Sequence, residues 1–284
     1  MLDIIAVPFG YIMRLIYEII GSYGLSIIAF SLLAKLVMLP FSIKTKKSML
    51  DMQRIQPKLN ELQRKYGKDQ QKLSMEMQKL YQEEGVSPFG SCLPTLITFP
   101  IMIGLYYVIS KPLTYFMGLS AEEVTKLGEL LGVVSENAYT TEIKIAGLVS
   151  QNFAAVAHVS DKLMNVDFNF LGMNLATTPS FKEFGLLWLI PILSGVTAYF
   201  LSTITLKMQG TGDVQNSSTS TMKYMMPLMS VYFGFILPAG LGVYWIANNV
   251  FSALQEIILG AVMKPKQIMG DFTIKGEYTT KGDK

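Results

Sequence analysis

Five runs of mostly apolar residues punctuate the chain, at roughly 22–42, 92–111, 185–206, 223–238 and 240–261. About 20 apolar residues in a helix cover the ~30 Å hydrocarbon core of a bilayer. The pattern therefore predicts an all-α, polytopic membrane protein with a five-span helical core. The fourth run is short, and Pro238 parts it from the fifth, which predicts a tight hairpin of helices. Residues 1–21 read differently. Arg14 and Glu18 stand at i and i+4 among Ile12, Leu15, Ile16 and Ile19, as in a short amphipathic helix lying on the extracellular side. The opening MLDIIAVPFG lacks the basic region of a secretion signal, so the first span is expected to remain in the mature protein.

Between the first two spans, residues 43–86 keep a helical rhythm. Met49, Met52, Ile55, Leu59, Leu62 and Tyr66 recur at three and four residues, Gly67 interrupts them, and Leu73, Met77, Leu80 and Tyr81 resume. Two helices folded back on each other along a Met, Leu and Ile seam are expected. Residues 112–184 are too long for a simple turn. Helical patches at 121–131 and 141–157, and the amide-rich Asn165 to Asn174, predict a small, partly helical cap. The loop Gln209 to Thr221, rich in Gly, Ser, Thr and Asn, reads as flexible.

Charge orients this pattern. Residues 42–86 carry ten Lys or Arg against six acids, and the tail from 261 onward five lysines against three acids. Residues 121–183 carry four lysines against eight acids. Lys and Arg near span ends favour the cytoplasm, so the hairpin, the 207–223 loop and the basic tail at 262–284 are expected inside, with the N-terminus and the cap outside. With a mean hydropathy of +0.36 over 284 residues, the chain reads as a multi-pass protein of a cell membrane.

Candidate chemistry is sparse. Cys92 is the one cysteine and His158 the one histidine, so intramolecular disulfides, thiolate metal clusters, standard zinc sites and Ser-His or Cys-His catalysis have no material. Neither an enzyme nor a metal or other cofactor is expected. Lys35 stands out as the only charge between Glu18 and Lys44. A lysine at the centre of a spanning helix costs about 2.5–3.5 kcal/mol on insertion scales, which makes it a functional candidate. Two readings are open: a stem that snorkels toward the cytoplasmic face, or an ammonium facing a polar cavity. Thr95 and Thr98 sit between Pro94 and Pro100, suited to satisfy the carbonyls those prolines free. Ser202 belongs to a hydroxyl-rich half of the third span. Asn248 and Asn249 fall mid-span and need partners, either across helices or in a cavity, and the Trp245 indole N–H seeks an acceptor.

Several segments in order resemble a known family: a basic residue in the first span, a cytoplasmic helical hairpin, SPFGSCLPTLITFPIMIGLYYV, GMNLA, WLIPILSGVTAYFLS and MMPLMSVYFGFILPAGLGVYWIANN. Over about residues 10–260 the chain is similar to the YidC/Oxa membrane protein insertases, in the short bacterial form without a large periplasmic domain. The resemblance implies five spans, residues 22–261 with hairpin and cap included, around a hydrophilic groove open to the cytoplasm and to lipid and closed outward. It implies an insertase and chaperone of the bacterial plasma membrane, with nascent membrane proteins and lipid as partners. The Sec translocon and the ribosome are further partners it raises. Lys35, Thr98, Ser202, Trp245 and Asn248 take the substrate-contacting groove positions. Lys35 stands where relatives carry arginine, Thr98 where many carry glutamine or methionine, and Leu201 where glutamine is frequent, so this groove is expected to be less polar. Lysine keeps the charge but loses bidentate carboxylate geometry. From the residues alone, a secondary transporter or small channel using Lys35, Asn248, Asn249 and Glu256 is the competing reading. The absence of an inverted repeat and the long basic hairpin weigh against it.

Overall fold

The computed structural model describes residues 3–87, 93–133, 141–208 and 217–263, with the backbone alone for 93–99 and 217–222. Cys92 and the basic tail from residue 264 lie outside the described residues. Helices stand at all five apolar runs: α2 (Tyr23–Tyr66), α4 (Leu93–Ser110), α8 (Leu189–Met208), α9 (Ser217–Ile236) and α10 (Ala239–Val262). Among the described residues, α2, α10 and the segment Leu186–Met208 are long and apolar enough to cross a membrane, and Pro100–Ser110 is a shorter apolar helix. Their exposed sides are apolar, as at Leu36, Val37, Phe200, Leu254 and Ile258. The chain is an all-α polytopic membrane protein.

The amphipathic N-terminus forms α1 (Asp3–Ile20), where Arg14 Nε donates to Glu18 at 2.9 Å on the exposed face. Ala6, Gly10 and Met13 form its buried side. That side packs against α4, α2 and the single π-helical turn Pro112–Phe116.

The largest departure from the sequence reading is the length of α2. It runs unbroken for 44 residues, so the first span and the first arm of the hairpin are one helix, with Pro40 and Pro57 inside it. An interior proline removes one backbone donor and normally bends or ends a helix. Here both sides of Pro40 are pinned to the same neighbour, because Lys35 bonds Ser252 and Lys46 pairs with Glu256, both on α10. The returning arm is α3 (Gln70–Glu84), opened by an Asp69 side-chain cap and closed by Gly85 in the left-handed region. Ile55, Leu59, Leu80 and Val86 form the buried seam, flanked by Met52, Leu62, Met77 and Tyr81. Arg54 and Lys58 of α2 both pair with Glu84 of α3.

The segment expected to form a cap folds as α5 (Ala121–Leu130), α6 (Thr141–Gln151), the short α7 (Phe153–Val156) and a two-stranded antiparallel ribbon. In that ribbon β1 (Asn169–Phe170) pairs with β2 (Met173–Asn174), Phe170 opposite Met173. The amide-rich stretch therefore contains strands that its composition does not announce. The turn between them places Leu171 at φ 52° with its side chain 75% exposed.

This cap shares one core with the membrane helices. Tyr23, at the start of α2, meets Phe168 at 4.8 Å and Phe116 at 5.9 Å between ring centroids. Leu175 and Thr177 accept hydrogen bonds from Gly240 N and Ala239 N, the first donors of α10. Helix N-termini leave such donors unsatisfied, so the cap carbonyls complete the N-terminal end of α10. Within the cap, the Glu142 carboxylate accepts from Thr114 N at 2.7 Å and from Thr114 Oγ1 at 3.0 Å. Burial pushes this carboxyl up from its ordinary value, against the downward pull of those bonds.

Candidate substrate groove

Away from the cap, α2, α8, α9 and α10 part around a cavity of about 470 Å³. From α2 it is lined by Lys35, Ser42, Thr45, Lys46 and Met49, and from α10 by Asn248, Ser252, Gln255, Glu256 and Leu259. From α8 come Leu201, Ser202, Thr205 and Leu206, and from α9 Lys223 and Met226. Helical periodicity explains the two polar stripes. Lys35, Ser42 and Lys46 are spaced by seven and four residues, and Asn248, Ser252 and Glu256 by four and four, so each set shares one helix face.

The charges face each other across these stripes. Lys35 Nζ donates to Ser252 Oγ at 2.7 Å, and Ser252 Oγ donates to the Asn248 carbonyl at 2.6 Å. Lys46 is among the buried charged residues and pairs with Glu256. Lys223 lies 5.6 Å from the ring centroids of Tyr199 and Tyr224, at the edge of the same space. Three lysines and one glutamate line the cavity, so its field is positive.

Of the positions expected to touch substrate, Lys35, Ser202 and Asn248 line this one cavity. Trp245 is not among its lining residues; it packs against Phe233, with ring centroids 5.8 Å apart, on the margin of the main core. The Thr98 side chain lies outside the described residues. The two adjacent asparagines divide their work: Asn249 is buried and donates to Thr197 Oγ1 at 3.2 Å, tying α10 to α8, while Asn248 turns to the cavity. Lys46 and Ser252 were not legible as site residues and Glu256 entered only the transporter reading, because 210 positions separate Lys46 from Glu256. The only available signal was Glu256 itself, an acid near the end of an apolar run.

This geometry, a cation in a cavity between apolar helices, can be set beside known proteins. A sequence model of the 60Kd inner membrane protein family matches residues 15–267. The chain belongs to that family. Membrane protein insertase YidC of Caldanaerobacter subterraneus subsp. tengcongensis is 32% identical over 273 residues, covering 96% of this chain and 98% of that protein. Membrane protein insertase YidC 1 of Listeria monocytogenes is 30% identical over 251 residues, 87% of this chain and 67% of that one. Membrane protein insertase YidC of Cellvibrio japonicus is 29% identical over 255 residues, which make up 90% of this chain and 35% of that longer protein.

Proposed function

We propose that the protein is a membrane protein insertase and chaperone that admits a hydrophilic substrate segment to the cavity between α2, α8, α9 and α10 and releases the apolar segment sideways into lipid. The observation that carries this reading is Lys35, an ammonium held in a cavity at the level of the spans, below an outer end filled by Tyr23, Phe116, Phe168 and Leu175. The names of the relatives point the same way and lend nothing to a solute transporter.

The mechanism is a shortened dry path. A peptide crossing hydrocarbon leaves each backbone polar group unsatisfied, at several kcal/mol apiece. A polar cavity reaching partway across removes part of that distance, and Lys35 attracts acidic side chains of the entering segment. The apolar segment that follows partitions into lipid, favoured by ~25 cal/mol per Å² of surface buried. A potential positive outside adds about 2.3 kcal/mol per negative charge moved outward across 100 mV. No step makes or breaks a covalent bond.

In this reading the membrane is the bacterial plasma membrane, with α1 and the cap at 112–184 outside and the hairpin at 43–86 and the tail at 262–284 inside. Thr98, Ser202 and Asn248 serve the groove alongside Lys35, while Trp245 packs beside Phe233 at the core margin. The basic, Met-bearing hairpin is the element offered to lipid head groups, a ribosome or the Sec translocon. The test is reconstitution of the purified protein in liposomes with a single-span protein whose N-terminal tail is acidic. Protease protection of the tail only in liposomes that contain the protein supports insertion. Equal protection in protein-free liposomes overturns it.

A further inference from the structure

The cavity holds more charge than one groove cation requires. Lys46 lies eleven residues beyond Lys35 on α2, and its ammonium is buried against Glu256 rather than left to the cytoplasm. Their Cα atoms are ~16 Å apart along the helix, yet both lysines find partners on α10. Their partners, Ser252 and Glu256, are one turn apart on α10, ~6 Å of rise. Two ammonium groups lining one cavity add to its positive charge, and Glu256 compensates one of them while the cavity is empty.

The ~6 Å rise between these two partner positions on α10 is close to the distance between alternate side chains of an extended strand, ~6.6 Å at 3.3 Å per residue, which also point the same way. Building on the insertase reading above, we propose that Lys46 is a second acid-binding position. An entering segment with acidic side chains two residues apart places one on Lys35 and the other on Lys46, displacing Glu256. Exchange of one carboxylate for another never leaves Lys46 buried and unpaired, the state that makes loss of a single partner so unfavourable. Glu256 stands within two turns of the end of α10 and is partly exposed, so on release its carboxylate reaches water. Glu256 thereby sets a threshold: a single acid is satisfied by Lys35 alone, whereas a pair competes for both lysines.

Zero-length carbodiimide coupling reads this exchange directly, since it joins a carboxylate only to an amine already in contact with it. Proteoliposomes of the full chain are treated without substrate, and with single-span proteins whose tails carry two acids at i and i+2, one acid, or none; protease protection is scored in parallel. The expected result is a Lys46–Glu256 amide in the empty protein. It is lost with the paired-acid tail in favour of a tail–Lys46 amide, and kept with the one-acid and neutral tails. Glu256→Gln is expected to raise tail–Lys46 coupling for the one-acid tail as well. The proposal is overturned if the paired-acid tail inserts while the Lys46–Glu256 amide persists, or if neutral tails clear it equally. It is also overturned if phosphatidylglycerol vesicles without substrate clear it, which would make lipid phosphate the competitor. Failure of every tail to become protected counts against the insertase reading, while the coupling still reports whether a tail docks.

Discussion

The Lys35 ammonium donates to Ser252 Oγ at 2.7 Å, joining the first membrane helix to the last across the wall of the groove. Ser252 is itself fixed by its bond to the Asn248 carbonyl, so the lysine has a defined seat rather than a free arc. Removing the seat while keeping the charge separates position from electrostatics. Ser252→Ala is expected to slow insertion of acidic tails by up to about tenfold, the ~1.5 kcal/mol of a hydrogen bond to a charged group. Neutral tails should be unaffected and Ser252→Thr should restore the rate; initial rates of tail protection measure each case.

The hairpin arms should loosen in acid. The hydrogen bond and charge of Lys58, aided by Arg54, hold the Glu84 carboxyl below its ordinary value of 4.5, with burial opposing. The folded value is thus below the unfolded one. The stabilising contribution is complete above pH 4.5 and is lost as the pH falls through the folded value. Proteolysis within residues 43–86 should accelerate on acidification below that range, and Glu84→Gln should be as susceptible at neutral pH as the wild type is in acid.

Helices α8 and α9 meet where a side chain has no room. A Cβ on Gly234 would lie 2.7 Å from Pro191 Cβ and 2.8 Å from its Cα. Close approach of this kind drives packing in a membrane, where apolar burial does not. Gly234→Val is expected to cost roughly 1–3 kcal/mol by overpacking. It should lower the thermal unfolding midpoint in detergent, whereas an exposed change such as Leu254→Val should not.

The cap carries a correctable local strain. Leu171, at φ 52°, occupies a region that costs a side-chain-bearing residue roughly 1–2 kcal/mol and that asparagine tolerates better. Leu171→Asn is expected to raise the unfolding midpoint and leave insertion unchanged.

What the sequence could convey follows the range of each interaction. Local periodicity placed the apolar runs, the amphipathic α1 and the hairpin seam at Ile55, Leu59 and Leu80, because those faces are set by residues three and four apart. The charge of Lys35 was conspicuous for the same reason: its apolar neighbours are adjacent in the chain. Continuity of α2 through Pro40 was hidden, since it depends on α10 holding both flanks. The ribbon at 169–174 was hidden too, because its strands are two residues each and Phe170 packs on Gly24, far away in sequence. Pairings such as Lys46 with Glu256, and the divergence of Asn248 from Asn249, are decided by which helix lies opposite, information that one helix does not carry.

The central claim is that a cation at residue 35, inside the groove, draws acidic segments into the membrane. The most direct measurement compares wild type, Lys35→Arg, Lys35→Ala and Lys35→Glu in liposomes, with single-span proteins bearing acidic or neutral tails, by protease protection. Arginine is expected to retain activity, glutamate to abolish it, and alanine to impair acidic tails while sparing neutral ones. Protection of acidic tails by Lys35→Ala equal to that by wild type would contradict it and leave Lys35 a structural, snorkelling lysine.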